Sequence, residues 1–394
     1  MKFDNLLRYA VRILNSYTGE LPLHNWLKNF FRENPQMGSR DRKQVSEMVY
    51  CYFRLGHSLK NIPKEDRIIV GLFLCNHEKE QILEYLHPEW HLLIEEPTEN
   101  KLEIIHTAFP AFDPMEIFPW KNLLSTGIDH KAFCISFLEK PRLFIRIRPG
   151  QDLAVKNKLL NHNIEFLDAD PNSILPFKAY SFAGGTKLDN VFLLNREAVV
   201  QDLGSQSTAL FMKPDDKLEK EAWDCCAGSG GKSILLADLF PGCRLTVSDI
   251  RESILINLSV RFKEAGVETS RLFKADLTDQ NDLPRQKYNF IVADLPCTGS
   301  GTWSRNPEAL YYFNPDSISG YRQRQEKILS NIAGKLNNDG TLIYITCSVF
   351  SDENERVSSF ASSSGVLKLE KQEMIAGYGK CADSMFVSRF VKVR

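Results

Sequence analysis

The stretch "AWDCCAGSGGKSILLADLF", Ala222 to Phe240, decides the fold. A short apolar run enters a glycine-rich turn and leaves it as a helical pattern. Glycines there let the backbone approach a ligand closely, and the N–H groups at the helix start favour anionic or polar groups. The same strand, turn and helix order repeats downstream. "RLTVSDI" leads to "RESILINLSVRFKEAG", followed by "RLFKADL", "YNFIVADL", a long helix ending near "LNNDG", and "TLIYITCS". Strands alternating with helices predict an α/β fold with a parallel sheet covered on both faces. "SMFVSRFVKV", near the end of the chain, reads as an antiparallel edge strand, and "SSFASSSG" as a helix end and loop.

Upstream, the patterning changes character. From Phe3 to about Leu59 apolar residues recur at helical spacing, as in Leu6, Leu7, Ala10, Val11 and Leu14, and again at Val45, Met48, Val49 and Tyr52. Ser39 in "MGSRDRKQV" is a candidate N-cap. In "EKPRLFIRIRPG" Arg142, Phe144, Arg146 and Arg148 alternate with Leu143, Ile145 and Ile147, the period of a strand. Two readings stand for its arginines: a solvated outer face, or a basic face that meets RNA. The expected domains are an all-helical module over 1–135, a small α+β unit over 136–200, and the parallel-sheet domain over 201–394. A chain of 394 residues suits such a division, since single cores stop growing near ~250 to 300 residues.

Composition excludes several classes. No apolar run reaches the ~18 residues a spanning helix needs, and "MKFDNLLRYAVRIL" lacks a signal-peptide core, so a cytoplasmic protein without a membrane partner is expected. The nine cysteines form no C-x-x-C pair, which points away from a disulfide framework and from a thiolate metal site. A net charge of -1 hides a polarity: residues 1–60 carry ten Lys or Arg against five Asp or Glu, and residues 61–110 four against ten. Such a basic head fits a polyanion partner or two solvated helix faces.

Two cofactor readings compete at "DCCAGSGGKS", Asp224 to Ser233. A phosphate-binding P-loop fits Gly231, Lys232 and Ser233, with "FIVAD" imitating an acidic magnesium-holding strand. Its first glycine, however, would fall on Cys226. The other reading is an adenosyl cofactor, with Asp249 in "TVSDI" placed for ribose hydroxyls and Asp276 in "FKADL" within reach of an adenine amine. Asp294 ends the next strand. A lone strand-end Asp is commonly a cap, but three in succession point to a site.

Taken together, "DCCAGSGGKS", "DLPCTGSG" and "YITCSVFSDENE" resemble the D-x-C-A-A-P-G-G-K-T, D-x-P-C-S-G-x-G and Y-x-T-C-S with E-N-E motifs of the RsmB/Sun/Nop-type RNA cytosine-5 methyltransferases. "VQDLGSQSTA" and "MFVSRFVK" are similar to further family segments. The resemblance implies a Rossmann-like S-adenosylmethionine-dependent domain with a mostly parallel seven-stranded sheet. It also implies an N-terminal NusB-like helical domain and a small α+β domain, both helping to bind RNA. The cofactor loop would be Cys226, Ala227, Gly228, Ser229, Gly230, Gly231 and Lys232, with Asp249, Asp276 and Asp294. Gly228 and Ser229 replace the family's Ala-Pro, which removes a fixed backbone angle.

The resemblance further assigns attack on carbon 6 of cytosine to Cys347 and product release to Cys297. Asp294 would hold the base, and Lys232 would face it. Free cysteine is otherwise commonly a small buried apolar residue, and Cys225, Cys226 and the cysteines outside the sheet are read that way as regards reactivity. Arg305 and Pro307 in "WSRNPE" match the family's R-x-P loop or form an ordinary turn, and Arg142, Arg146, Arg148 and Arg305 are the candidate RNA contacts. All eight histidines stand at or before His162, so no His-based triad can be drawn from the sheet's own residues. The expected enzyme is a monomer acting on 16S ribosomal RNA; transfer RNA is the nearest alternative substrate. From other classes, a P-loop NTPase and a non-catalytic RNA-binding assembly factor remain.

Overall fold

The structure is a computed structural model, described over residues 2–212 and 221–393. It falls into two compact units, one comprising Met1–Asn122, Asp129–Pro141 and Thr302–Asn314, the other Leu123–Ile128, Arg142–Gly301 and Pro315–Arg394. No helix among the described residues is long and apolar enough to cross a membrane.

Helices are the only regular elements among the described residues of the first unit. Helix Phe3–Ser16 buries Leu6, Ala10 and Leu14 of the stripe its spacing predicts, with Ile13 in addition, while Leu7 and Val11 are only partly covered. The next predicted helix begins at Ser39, but Gly38 is its N-cap and no side chain caps it. Thr302–Asn314 packs with this unit although it interrupts the sheet domain in sequence. Its helix Pro307–Tyr312 is held there when Glu308 accepts the Leu23 N–H at 3.0 Å and the Tyr311 carbonyl accepts from Lys60 Nζ at 2.9 Å. The "WSRNPE" segment therefore opens a helix of the helical unit, with Pro307 at its first turn.

The second unit carries two sheets. Strands β1 (Leu143–Ile147), β2 (Leu167–Asp168), β3 (Ala179–Phe182) and β4 (Ala198–Val200) form a four-stranded antiparallel sheet in the order β2-β3-β1-β4. Strands β5 (Glu221–Asp224), β6 (Arg244–Asp249), β7 (Arg271–Lys274), β8 (Tyr288–Asp294), β9 (Leu336–Thr346), β10 (Leu367–Ile375) and β11 (Met385–Lys392) form the main sheet, ordered β10-β11-β9-β8-β5-β6-β7. The five strands β5 to β9 pair in parallel, and β11 is antiparallel to both β9 and β10.

Alternation along these strands builds a core on each face. Ala222, Phe290, Val292, Ile343 and Ile345 pack with Ile234, Leu235, Leu258 and Phe262 of helices Gly231–Leu239 and Glu252–Ala265. Their neighbours Trp223, Ile291, Ala293, Leu342 and Tyr344 pack with Ile328, Leu329, Ile332 and Val357 of helices Ser317–Ala333 and Glu355–Ser363. Burial on both sides explains why the strands read as nearly unbroken apolar runs.

Two expectations need correction. "LNNDG" does not end a helix: helix Ser317–Ala333 stops earlier, and β9 already begins at Leu336. "SMFVSRFVKV" is antiparallel, but it is not the edge. The edge is β10, "LKLEKQEMI", whose one-residue register shift between Leu369 and Lys371 breaks the alternation by which a strand is recognised.

The arginine strand also resolves. Arg146 is 1% exposed and donates to Asp238 at 2.5 Å and to Gln201 at 2.9 Å. Arg148 donates to the other Asp238 oxygen at 2.8 Å and to the carbonyls of Asn195 and Ala265. Both expectations for Arg146, a solvated face or an RNA contact, are overturned, because a guanidinium enclosed with its carboxylate has no reach to a phosphate. Arg148 is likewise spent on internal partners. Arg142 stands apart, donating from Nε to Ser181 Oγ at 3.2 Å beside a groove that includes Leu160, Phe166 and Leu167. One buried carboxylate thus serves two arginines. Asp238→Ala is expected to lower the unfolding free energy by about 3–5 kcal/mol, the cost of stranding a buried charge, read as a fall in the urea midpoint.

Candidate functional site

In the main sheet the strand order reverses between β5 and β8. Chains leaving the carboxyl ends of these strands diverge to opposite faces and open a crevice, the place where open α/β sheets bind ligands. A cleft of about 460 Å³ lies there, lined by Cys226, Gly228, Asp249, Asp276, Asp294, Cys297 and Cys347 among others. Residues from five separate strand ends meet in it because the parallel sheet points all five ends the same way.

The glycine loop is shaped by two left-handed residues, Gly228 at φ +52° and Gly230 at φ +82°. A Cβ on Gly230 would stand 2.2 Å from Leu258 Cδ1 and 3.0 Å from Phe262 Cε1, whereas one on Gly228 would meet open space. Gly230→Ala is expected to cost about 2–3 kcal/mol of stability and Gly228→Ala about 1, a contrast measurable by urea unfolding. The loop is tied from outside by the Arg261 guanidinium, donating to the Ser229 carbonyl at 2.6 Å, and by the Gly228 N–H, donating to Asp249 at 3.0 Å. Lacking the proline of the family motif, it is held by these contacts.

Asp249 is buried at the end of β6, and Arg251 donates to it from both its backbone N–H and its guanidinium. Burial opposes its charge, but the bonds from Arg251 and Gly228 outweigh that and hold the carboxyl below its usual value. At Asp276, the backbone N–H and hydroxyl of Thr278 donate to one oxygen and keep that carboxyl low as well. This is a local turn bond of the kind expected of a strand-end Asp, made while the residue also lines the cleft.

Ser233 is fully buried and its hydroxyl donates to Asp224 Oδ2. Burial pushes the Asp224 carboxyl up to about 7. A P-loop needs that serine on a magnesium ion. With Ser233 buried against Asp224, this sheet lacks the ligand such a loop requires.

The thiols lie at neighbouring strand ends. Cys297 follows β8, Cys347 follows β9, and their Sγ atoms are 3.3 Å apart, both free. The hydrogen bond with Cys347, then burial, then the negative charges of Cys347 and Glu353 push the Cys297 thiol well up. Lys232 Nζ donates to Asp294 Oδ2 at 2.7 Å. Burial works against its charge, but Asp294 chiefly, and Cys347 after it, keep the ammonium protonated. The cleft therefore gathers two thiols, a cation and a carboxylate: Asp294 and Cys297 from the end of β8, Cys347 from the end of β9 and Lys232 from helix Gly231–Leu239.

Two residues of the E-N-E motif, Asn354 and Glu355, support the site. Asn354 accepts from Thr346 Oγ1 at 2.5 Å and donates to the Ser348 carbonyl at 2.9 Å, so it grips both neighbours of Cys347. Glu355 accepts from Ser125 Oγ and the Thr126 N–H. The E-N-E letters of the sequence thus have distinct holding tasks, while Arg251 and Arg261 were invisible as loop ties because only the folded chain brings them there.

A mostly parallel sheet with a glycine loop after its central strand and acids at successive strand ends defines a Rossmann-like methyltransferase domain. More narrowly, residues 209–386 match the family described as 16S rRNA methyltransferase RsmB/F. A relative from Photorhabdus laumondii subsp. laumondii named ribosomal RNA small subunit methyltransferase B is 27% identical over 201 residues, 49% of this chain and 46% of the relative. The chain spans about half the length of the curated relatives it first matches. Among solved structures, PH0851 superimposes with a TM-score of 0.71 at 17% identity, covering 100% of this chain and 99% of that one. NSun6 from Pyrococcus horikoshii, solved with SFG, gives 0.58 at 16% identity, covering 70% and 97%. These two likenesses concern the fold.

Proposed function

We propose that the protein is a cytoplasmic S-adenosylmethionine-dependent RNA cytosine-5 methyltransferase acting on 16S ribosomal RNA. The observation that carries the reading is the thiol pair 3.3 Å apart, in one cleft with the acids at the ends of β6 and β8. The cleft fits the cofactor: Asp249 offers carboxylate oxygens to ribose hydroxyls, Asp276 offers an acceptor to the adenine amine, and the Gly228 side leaves room for a close approach. When bound, S-adenosylmethionine supplies an electrophilic methyl group.

The chain's own residues do the rest. Carbon 5 of cytosine is too weak a nucleophile unaided, and a covalent intermediate divides the work into easier steps. Cys347 Sγ attacks carbon 6, and electron density rises at carbon 5, which takes the methyl group. Asp294 holds the amino edge or ring nitrogen 3. Lys232 balances the negative charge that builds beside Cys347 and Asp294. Attack goes to Cys347, the cysteine of the T-C-S motif, and release to Cys297, the cysteine of the P-C motif, as the resemblance implies. A base then takes the carbon 5 proton, the electrons of that bond restore the carbon 5–carbon 6 double bond, and the carbon 6–sulfur bond breaks to release Cys347, with Cys297 assisting the departure. The target base must be single-stranded or flipped out to reach the cleft. The helical unit, likened to NusB, and the side chains of Arg142 and Arg305 are the proposed RNA contacts.

The test is incubation of the purified chain with unmodified 16S RNA and radiolabelled S-adenosylmethionine, followed by bisulfite sequencing. One protected cytosine in 16S RNA is expected. Label found only in transfer RNA would move the substrate to that class. Saturable binding of ATP without binding of S-adenosylmethionine would sink the methyltransferase reading in favour of a nucleotidase, and an RNA complex without any transfer would favour an assembly factor.

A further inference from the structure

We infer that Glu353 is a positioning residue that sets the spacing of the two thiols by clamping both of their loops to one buried carboxylate. The inference rests on the proposed two-thiol chemistry but draws on separate contacts. Glu353 is fully buried. One of its oxygens accepts the Thr298 N–H at 2.9 Å and Gln325 Nε2 at 3.1 Å; the other accepts Thr298 Oγ1 at 2.6 Å and Ser348 Oγ at 2.5 Å. Thr298 adjoins Cys297, and Ser348 adjoins Cys347. Gln325 also donates to the Pro296 carbonyl at 2.9 Å, gripping Cys297 from its other side.

Four donors on one carboxylate are the reason a buried acid is tolerated here, since a buried charge needs its bonds satisfied. Three of the donors come from residues that adjoin a thiol, Thr298 twice and Ser348 once, and the fourth, Gln325, comes from helix Ser317–Ala333. The two loops end neighbouring strands, and β8 and β9 are joined by ladder bonds only as far as Asp294 and Ile345. Beyond the ladder the backbone leaves regular pairing. The Leu295 N–H still reaches the Ile345 carbonyl at 3.0 Å, and the Gly301 N–H reaches the Cys347 carbonyl at 2.8 Å. Between those two bonds Glu353 bridges the Cys297 loop to the Cys347 loop, beside the direct contacts of Ser348 Oγ with Thr298 Oγ1 at 3.2 Å and Ser300 Oγ at 3.3 Å. Ser300 extends it, accepting the Val349 N–H at 2.9 Å.

Replacing the carboxylate by an amide of the same shape turns one acceptor into a donor: on the Thr298 N–H and Gln325 side it meets donors only, and on the hydroxyl side it makes Thr298 and Ser348 turn to accept and removes the bonds they donate. The loops then separate, and the sulfurs with them. Displacement of a reacting group by ~1 Å can cost about a hundredfold in rate, so a loss of spacing is visible in the chemistry while the fold stands.

The test uses the full chain and dibromobimane, a reagent that becomes fluorescent when it joins two close thiols, with the Cys297–Cys347 crosslink identified by peptide mass spectrometry. Glu353→Gln is expected to slow that crosslink at least about fivefold, and to slow single-turnover methyl transfer about tenfold or more, with S-adenosylmethionine affinity unchanged. Crosslinking and transfer both within about twofold of the parent, in a variant with native circular dichroism, would overturn the inference. Should Glu353→Gln not fold, Thr298→Val and Thr298→Ser are compared: removal of the hydroxyl slows the crosslink and its retention does not, and equal rates in the two would overturn it. Because the crosslink needs neither RNA nor methyl donor, a parent protein that crosslinks rapidly yet transfers no methyl group would refute the proposed function and leave the clamp standing.

Discussion

Cys347→Ala is expected to abolish methyl transfer and to form no covalent complex with RNA. If Cys347 Sγ supplies the bond to carbon 6, removing it leaves carbon 5 without the electron density it needs, and no neighbouring group replaces it. The candidate nearest in space is Cys297, at 3.3 Å, but its loop is tied by Thr298 and Gln325, and its thiol is held protonated. The fall in the single-turnover rate should be about a thousandfold or more, as for loss of a nucleophile whose partners cannot take over. Loss of the sulfur atom is a small change in volume at a half-exposed cleft position, so the variant is expected to retain native circular dichroism and cofactor affinity. Radiolabel transfer measured at saturating enzyme decides the matter. Transfer within about tenfold of the parent would remove Cys347 from the nucleophile's role.

Cys297→Ala gives the opposite signature. Attack and methyl transfer proceed through Cys347, but departure of the sulfur loses its assistance, so a complex of protein and RNA persists in denaturant. Proton-transfer assistance of this kind contributes about 10²–10⁴ in rate, and multiple turnover should fall accordingly while a single round of label is retained. The complex is visible as a retarded band on a denaturing gel, and digestion should place the nucleotide on the peptide that contains Cys347. A trapped complex in Cys347→Ala and none in Cys297→Ala would exchange the two roles. The double variant should form no complex, which separates the trap from nonspecific crosslinking.

Much of this site is legible without coordinates because its residues sit at strand ends, and strand ends are marked by where apolar runs stop. Asp249, Asp276, Asp294, Cys297 and Cys347 each follow such a run, and a parallel sheet must bring those ends to one edge. The alternation in "RLFIRIR" identified β1 correctly as a strand but said nothing of what covers it. Arg146 is enclosed with Asp238, ninety-two residues away, and a period of two records only that side chains alternate, never whether the outer face meets water or a neighbouring helix. The polar β10 escaped notice for a related reason, since a bulged edge strand has neither the apolar run nor the unbroken alternation.

The sequence by itself determined the α/β class, the alternation of strands and helices along the chain from β5 to β9, and the glycine loop after β5, because these follow from local periodicity and from glycine positions, while the resemblance of its motifs pointed to the thiol loops. Only the tertiary structure decided that the two sulfurs lie within contact distance, that Lys232 pairs with Asp294, that Glu353 binds both thiol loops, and that 302–314 joins the helical unit. These are contacts between residues far apart in the chain. They depend on how strands stack and on which donors a buried acceptor finds, quantities that no window of neighbouring residues contains.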